Sequence, residues 1–129
     1  MKPELNLLVW STALAVVQVL VAVTGAFTQV GLMKLVGNRE DMPRLVGWVG
    51  RAERAHLNIL QNLVLFAVLV LVAVLTNRTN DMTLLGAQLF FWGRIAYALI
   101  YLAGIQWLRT LSWLVSVIGL VLIFLQLIK

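Results

Sequence analysis

The sequence predicts an all-α integral membrane protein in which four transmembrane helices form an up-down bundle. Hydrophobic residues make up 62% of the 129 residues and charged residues only 12%. The mean hydropathy is +0.98, and the charges divide the chain into long apolar stretches. A soluble domain of this length cannot bury so much apolar surface, whereas a bilayer accommodates it. The length fits a single domain, which we place over residues 1–129.

Each predicted helix is an apolar stretch between charged residues. A helix that crosses the hydrocarbon core needs about 20 mostly apolar residues. Four stretches meet this requirement, and we place them near 5–32, 52–76, 83–106 and 109–128.

The connections set the topology. Residues 33–51 form the only long loop, 77–82 a short polar turn, and 106–109 a tight link. Short links make neighbouring helices antiparallel, so both termini lie at one membrane face. Basic residues favour the cytoplasmic side, and they are more numerous at the loop face. We therefore expect the 33–51 loop in the cytoplasm and both termini on the opposite side. Lys34, Arg39, Arg44, Arg51, Arg54 and Arg109 lie at the loop face, against Lys2, Arg78 and Lys129 at the other.

Composition excludes several kinds of site. The chain has no cysteine, which excludes disulfides, thiolate metal sites and a cysteine nucleophile. Its one histidine, His56, cannot form a histidine-rich metal site, so we predict no metal. The basic residues are scattered, as is typical of membrane-flanking positions rather than of a nucleic-acid surface.

A polar stripe opens the second predicted helix. Arg51, Arg54, Asn58 and Gln61 follow one another at helical spacing and share one face. Polar groups inside a membrane are costly, so such a stripe indicates a binding surface. The alternative is structural, because interfacial arginines often extend to the headgroups and amides often bond a neighbouring helix.

A second polar group lies on the third predicted helix. Arg94, Tyr97 and Tyr101 share a face, and every acidic residue of the chain lies at a helix end or in a loop. Arg94 must therefore face the bundle interior and use carbonyls, polar side chains, water or an anionic ligand. Direct ligand contact and a structural bridge to Gln61 or Asn58 are the two alternatives for Arg94. For the tyrosines, the alternative to ligand binding is packing.

Arg109 begins the fourth predicted helix at the loop face. Antiparallel geometry places it level with Arg51 and Arg54. Three guanidinium groups at one depth suit a small ligand with carboxylates, or stabilise a developing thiolate or oxyanion.

These residues carry a family resemblance. Arg51-Ala-Glu-Arg-Ala-His-Leu-Asn-Ile-Leu-Gln61 resembles the second-helix signature of the MAPEG family, membrane-associated proteins of eicosanoid and glutathione metabolism. Arg94-x-x-Tyr97-x-x-x-Tyr101 is similar to the family's third-helix pattern, and Arg109-Thr110-Leu111-Ser112-Trp113 to the start of its fourth helix. The chain looks like a bacterial-type member, which implies the bacterial inner membrane.

The resemblance implies a homotrimer of four-helix subunits with glutathione as co-substrate, bound between subunits near the cytoplasmic face. Arg54 and Asn58 match glutathione-contacting residues, and Tyr101 matches a ligand-facing tyrosine. Arg94 matches the third-helix arginine, and Arg109 the arginine that stabilises the glutathione thiolate.

The sequence departs from the family pattern at three places. Gln61 replaces the usual acidic residue, and Tyr97 stands where some members have histidine. The stretch between Tyr101 and Arg109 is one residue shorter than in some members.

Three functions follow as hypotheses. The first is a glutathione transferase or peroxidase that acts on hydrophobic electrophiles from the membrane lipid, with Arg109 as the catalytic residue. The second, motivated by Gln61, is a protein of the same fold that binds a lipid or another anion without glutathione chemistry. The third, a small multidrug transporter, needs a carboxylate in the first helix, and none lies between Glu4 and Lys34. The predicted ligand-binding residues are Arg51, Arg54, Asn58, Gln61, Arg94, Tyr97 and Tyr101.

Overall fold

Four long helices and one short helix make up the computed structural model of the protein, which describes residues 1–37 and 43–129. Arg39, Glu40 and Asp41, which the sequence analysis placed in the long loop, lie outside the described residues. The helices are α1 (Pro3–Val30), α2 (Leu32–Val36), α3 (Gly47–Leu75), α4 (Asp81–Ala103) and α5 (Gln106–Ile128).

The four long helices are each apolar and long enough to cross a membrane. The predicted all-α four-helix membrane bundle is therefore confirmed. Large apolar side chains cover its outer surface, including Leu20, Val64 and Leu111. Such a surface suits hydrocarbon as its solvent.

Helix ends were less well predicted than helix number. The expected loop at 33–51 is shorter, because α2 follows α1 directly and α3 begins at Gly47. Arg51 is therefore already helical. Residues 106–109, expected as a link, form the first turn of α5 instead. The true link is Gly104 and Ile105, and Gly104 adopts a left-handed conformation with φ of 80° that reverses the chain at the end of α4.

Contacts at the two ends of the bundle confirm the antiparallel order. At one end, Lys2 Nζ donates to Thr79 Oγ1 at 3.2 Å, and an Arg78 guanidinium nitrogen donates to Leu127 O at 2.6 Å. These bonds place the N-terminus, the α3–α4 connection and the C-terminus together. At the other end, Gln29 bonds the backbone of Val46 in both directions, at 2.8 and 3.2 Å.

α4 and α5 pack closely because glycines face each other where they cross. A Cβ added at Gly86 would lie 2.5 Å from Gly119 O, so no larger residue fits there without a shift of backbone. This approach is typical of membrane helices joined through small residues.

The interior of the bundle differs between its two halves. In the half near the termini, the Phe66 and Phe90 rings stack with centroids 4.1 Å apart, against Ile123 and Val70. In the half near the loop, Ala55, Tyr97 and Tyr101 take their place. The small alanine leaves room beside the tyrosines for arginine side chains, and the polar residues gather there.

Candidate functional site

The predicted site residues converge at the loop end of the bundle, where the start of α3 meets the end of α4 and the start of α5. Arg51 Nε donates to Leu102 O at 3.2 Å, and Arg54 Nε donates to Tyr101 OH at 3.0 Å. Both bonds join α3 to the last turn of α4. The helical spacing of the stripe on α3 thus brings its first two arginines to one neighbouring helix.

Tyr101 lies near two guanidinium groups. The Cζ of Arg109 is 4.8 Å from the centroid of the Tyr101 ring, and the Cζ of Arg54 is 5.9 Å from it. A cation within about 6 Å of an aromatic face is attracted by the ring quadrupole. Tyr101 therefore interacts favourably with the charges of both Arg54 and Arg109.

Arg94 is the most deeply buried charge of the site, with 1% of its surface exposed. The prediction that it faces the bundle interior is confirmed. One of its terminal nitrogens, Nη2, donates to Asn58 Oδ1, and its Cζ lies 4.4 Å from the centroid of the Tyr97 ring. Of the two bridges considered from the sequence, the one to Asn58 is formed.

Asn58 is itself held in place by Asn62. The Asn62 amide donates to Asn58 O at 2.8 Å and to Asn58 Oδ1 at 3.3 Å. The side chain of Gln61 is exposed and, within residues 1–37 and 43–129, forms no hydrogen bond. The structure therefore does not join Gln61 to Arg94.

The cluster carries positive charge without a matching acid. Among the described residues, none of Arg51, Arg54, Arg94 and Arg109 forms an ion pair. The Nε and Nη1 atoms of Arg94 are buried, and nothing in the described part of the chain bonds them. Burying a guanidinium without an anion is costly, so the arrangement favours a negatively charged ligand.

A metal does not fit this site. The described residues contain no group of three or more histidine, cysteine or acidic side chains that could hold a metal ion. Arginine, tyrosine and asparagine side chains instead suit hydrogen bonding to carboxylates and stabilisation of an anionic sulfur or oxygen.

Polar residues of α1 were not singled out from the sequence. Glu4, Ser11 and Gln18 are buried, and they recur at seven-residue steps along one face. Glu4 accepts a 2.7 Å hydrogen bond from Thr83 Oγ1, whereas Ser11 Oγ and Gln18 Oε1 bond nothing among the described residues. Their regular seven-residue spacing within an apolar helix could have predicted that they share a buried face.

Comparison with known proteins gives a family match alone. The model of the MAPEG family matches residues 7–129. No curated protein and no solved structure matches the chain.

Proposed function

The chain belongs to the MAPEG family, and we propose that it is a membrane-bound glutathione-dependent transferase or peroxidase that acts on hydrophobic electrophiles. Members of the family include enzymes of both kinds. The observation that carries the proposal is the arginine cluster around Tyr97 and Tyr101, in which the buried Arg94 has two unbonded nitrogens among the described residues.

Glutathione supplies the negative charge that the arginine cluster lacks among the described residues. Its carboxylates provide acceptors for guanidinium groups, which bind carboxylates in a geometrically specific way. Arg51 and Arg54 lie at the loop end of α3 and meet the ligand first, whereas Arg94 lies deeper and neutralises charge within the bundle. Each of these side chains is already positioned by a bond to α4 or α3, so little ordering is needed on binding.

Arg109 is the proposed catalytic residue. It is partly exposed and is held over the Tyr101 ring, so its charge can face the sulfur of a bound ligand. A nearby cation favours the thiolate form of a thiol, which is the nucleophile. In transfer, the thiolate sulfur forms a bond to the electrophilic carbon and the leaving group departs. In peroxide reduction, the thiolate sulfur forms a bond to the terminal peroxide oxygen, the O–O bond breaks, and the alcohol leaves once its oxygen takes up a proton. The thiol of a second glutathione then attacks the resulting sulfenic acid, which gives the disulfide and releases water.

We propose that the active assembly is a homotrimer with glutathione between subunits. Family membership supports it. The loop end of the bundle is proposed to face the cytoplasm, supported by its greater number of basic residues, and the membrane is proposed to be a bacterial inner membrane. Native mass spectrometry from detergent tests the trimer, and a monomer that retains full activity contradicts it.

The test is calorimetric titration of glutathione into detergent-purified protein, paired with turnover of a hydrophobic electrophile. Wild-type protein is expected to bind and turn over, and Arg109→Ala to lose at least about tenfold in turnover, the equivalent of 1.4 kcal/mol in transition-state free energy. Arg78→Ala is the matched control, because Arg78 lies at the opposite end and bonds only backbone carbonyls in the described chain. No binding at millimolar glutathione contradicts the proposal, as does unchanged turnover in Arg109→Ala.

Gln61 supports the second candidate, a protein of the same fold that binds a lipid or another anion. It stands where the family pattern has an acidic residue, and its side chain is exposed. Purified protein that retains lipid but shows no glutathione-dependent turnover favours this candidate over the enzyme.

A further inference from the structure

A pocket at the loop end of the bundle is lined by charges of both signs. It lies between the segment that precedes α3 and the first turns of α3, and its volume is about 330 Å³. That volume lies in the range of small-molecule sites. Because Arg54 also belongs to the arginine cluster, the pocket adjoins the proposed glutathione site. Its lining residues are Pro43, Arg44, Leu45, Gly50, Glu53 and Arg54.

Gly50 lets the polar groups of this pocket approach one another. A Cβ added there would lie 2.7 Å from Leu45 O and 3.4 Å from Nη1 of Arg54. A larger residue would therefore displace the backbone before α3 and crowd the Arg54 guanidinium. Arg54 Nε donates to Tyr101 OH, and in the described chain the two terminal nitrogens of Arg54 bond nothing. They are therefore available to a ligand.

Glu53 is the one acidic residue at this end of the bundle within the described part of the chain. The other described acids, Glu4 and Asp81, lie at the opposite end, in the first turns of α1 and α4. Glu53 is half-buried and lines the pocket together with Arg44 and Arg54. Yet its carboxylate forms neither an ion pair nor a hydrogen bond among residues 1–37 and 43–129.

Helix geometry explains why Glu53 and Arg54 do not pair. Side chains of successive helical residues point about 100° apart around the axis and do not face each other. The two opposite charges therefore line different sides of the pocket, and the space between them is open. That space suits a ligand that itself carries both charges.

The amino-acid end of glutathione has this chemistry. Its γ-glutamyl residue carries an α-carboxylate and an α-ammonium group on the same carbon atom. A guanidinium binds the carboxylate, and an ionised carboxylate such as that of Glu53 accepts hydrogen bonds from the ammonium. A ligand without the ammonium would bring only negative charge to Glu53, and this repulsion would disfavour it.

We propose that this pocket binds the γ-glutamyl amino-acid end of glutathione, with Arg44 and Arg54 on its carboxylate and Glu53 on its ammonium group. The inference rests on the proposed function, and it makes Glu53 the residue that selects a zwitterionic end. Arg54 bonds Tyr101, and Arg109 lies over the ring of Tyr101. The cysteinyl part of the ligand therefore extends past Tyr101 toward Arg109.

The test compares glutathione with glutaryl-cysteinylglycine, which keeps both carboxylates and the thiol but lacks the α-amino group. Calorimetric titration into detergent-purified protein measures the two dissociation constants. Wild-type protein is expected to bind glutathione about 3–10-fold more tightly than the analogue, the range for one hydrogen bond between charged groups at a partly exposed site.

Variants of Glu53 assign this preference to its charge. In Glu53→Gln the preference should fall to about twofold or less, because a neutral amide accepts more weakly than a carboxylate and repels no anion. Glu53→Asp keeps the charge and should keep part of the preference. Asp81→Asn is the matched control, because Asp81 is an exposed acid at the opposite end of the bundle. A purely structural role of Glu53 would weaken both ligands alike and leave their ratio unchanged.

The inference is overturned if wild-type protein binds the two ligands equally, or if Glu53→Gln keeps the wild-type preference. If Glu53→Gln does not fold, the wild-type comparison and Glu53→Ala still decide. Glutathione binding with an unchanged preference in Glu53→Gln contradicts this inference alone. No binding of glutathione by wild-type protein contradicts the proposed function as well.

Discussion

Arg94 and Asn58 join α4 to α3 inside the membrane by a hydrogen bond from the guanidinium Nη2 to the amide Oδ1. The bond uses one of the donors of a side chain that is 1% exposed, and Nε and Nη1 stay unbonded within the described chain. The bridge therefore positions Arg94 without neutralising it. A neutral amide can anchor the side chain and still leave its charge to a ligand.

Substitutions of Asn58 separate two roles of this bridge, which are to position Arg94 and to leave its charge available to a ligand. Asn58→Ala removes the acceptor and is expected to lower the free energy of unfolding by about 1–3 kcal/mol, because a buried donor loses its partner. Asn58→Asp places a carboxylate opposite Arg94, so the fold should persist while the positive potential of the cluster falls. Glutathione affinity in Asn58→Asp should drop about tenfold, as expected when a nearby charge is neutralised.

Thermal unfolding in detergent and calorimetric titration measure the two effects. If Asn58→Asp binds glutathione as tightly as wild type, the charge of Arg94 is not used by the ligand. Leu57→Ala is the control for stability, because Leu57 is the neighbouring residue and is 47% exposed.

Two substitutions of Tyr101 separate the contribution of its hydroxyl group from that of its ring. Tyr101→Phe removes the acceptor of Arg54 Nε and keeps the ring over which Arg109 lies. Tyr101→Leu removes both. Glutathione affinity should fall about 3–10-fold in Tyr101→Phe, the range for one hydrogen bond to a charged group, whereas turnover should fall further only in Tyr101→Leu, because Arg109 loses its support.

Calorimetry and steady-state kinetics on the two variants give the comparison. Equal turnover in both variants would show that the ring does not position Arg109. Unchanged affinity in Tyr101→Phe would place Arg54 outside the ligand site.

The number of helices and the burial of Arg94 could be predicted from sequence because each depends on the chain's own composition. Apolar stretch length sets the helices, and a charge with no acid in the spans must face inward. The start of α3 at Gly47 could not be predicted in this way. A helix that leaves the hydrocarbon continues through polar residues at the membrane interface, and hydropathy does not mark where it begins. The boundary is set by the backbone bonds of the first turn.

Gln61 and Gln18 show why the sequence did not predict which polar side chains are buried and which are exposed. Helical spacing predicted Gln61 on the same face as Arg51 and Asn58. The stripe from Arg51 to Gln61 spans eleven residues, however, and over that length it drifts around the helix, so Gln61 is exposed. Gln18 is buried because α1 presents its small and polar residues inward. In lipid, apolar side chains gain nothing by facing the bundle, and small residues permit close helix approach.

The crossing of α4 and α5 gives a prediction about stability alone. Gly119→Ala introduces a Cβ against Gly86 O and 2.9 Å from Phe90 N, so backbone must move. The expected loss is about 1–3 kcal/mol of unfolding free energy, as for other insertions into a packed interior. Ile118→Ala is the control, since Ile118 is 46% exposed on the same helix. Thermal unfolding in detergent measures both, and equal midpoints for the two variants would contradict the close crossing.

The sequence has no cysteine, so a single introduced cysteine can report the orientation of the protein in the membrane. Val46 is 62% exposed at the start of α3, and Leu75 is 80% exposed at its other end. Neither carries charge, so Val46→Cys and Leu75→Cys leave the basic residues that favour the orientation unaltered. In intact cells, a membrane-impermeant maleimide should label Leu75→Cys, whereas Val46→Cys should react only after the membrane is opened. The reverse pattern would place the arginine cluster on the outer side of the membrane and its ligand outside the cell. That result would contradict the proposal that cytoplasmic glutathione reaches the site.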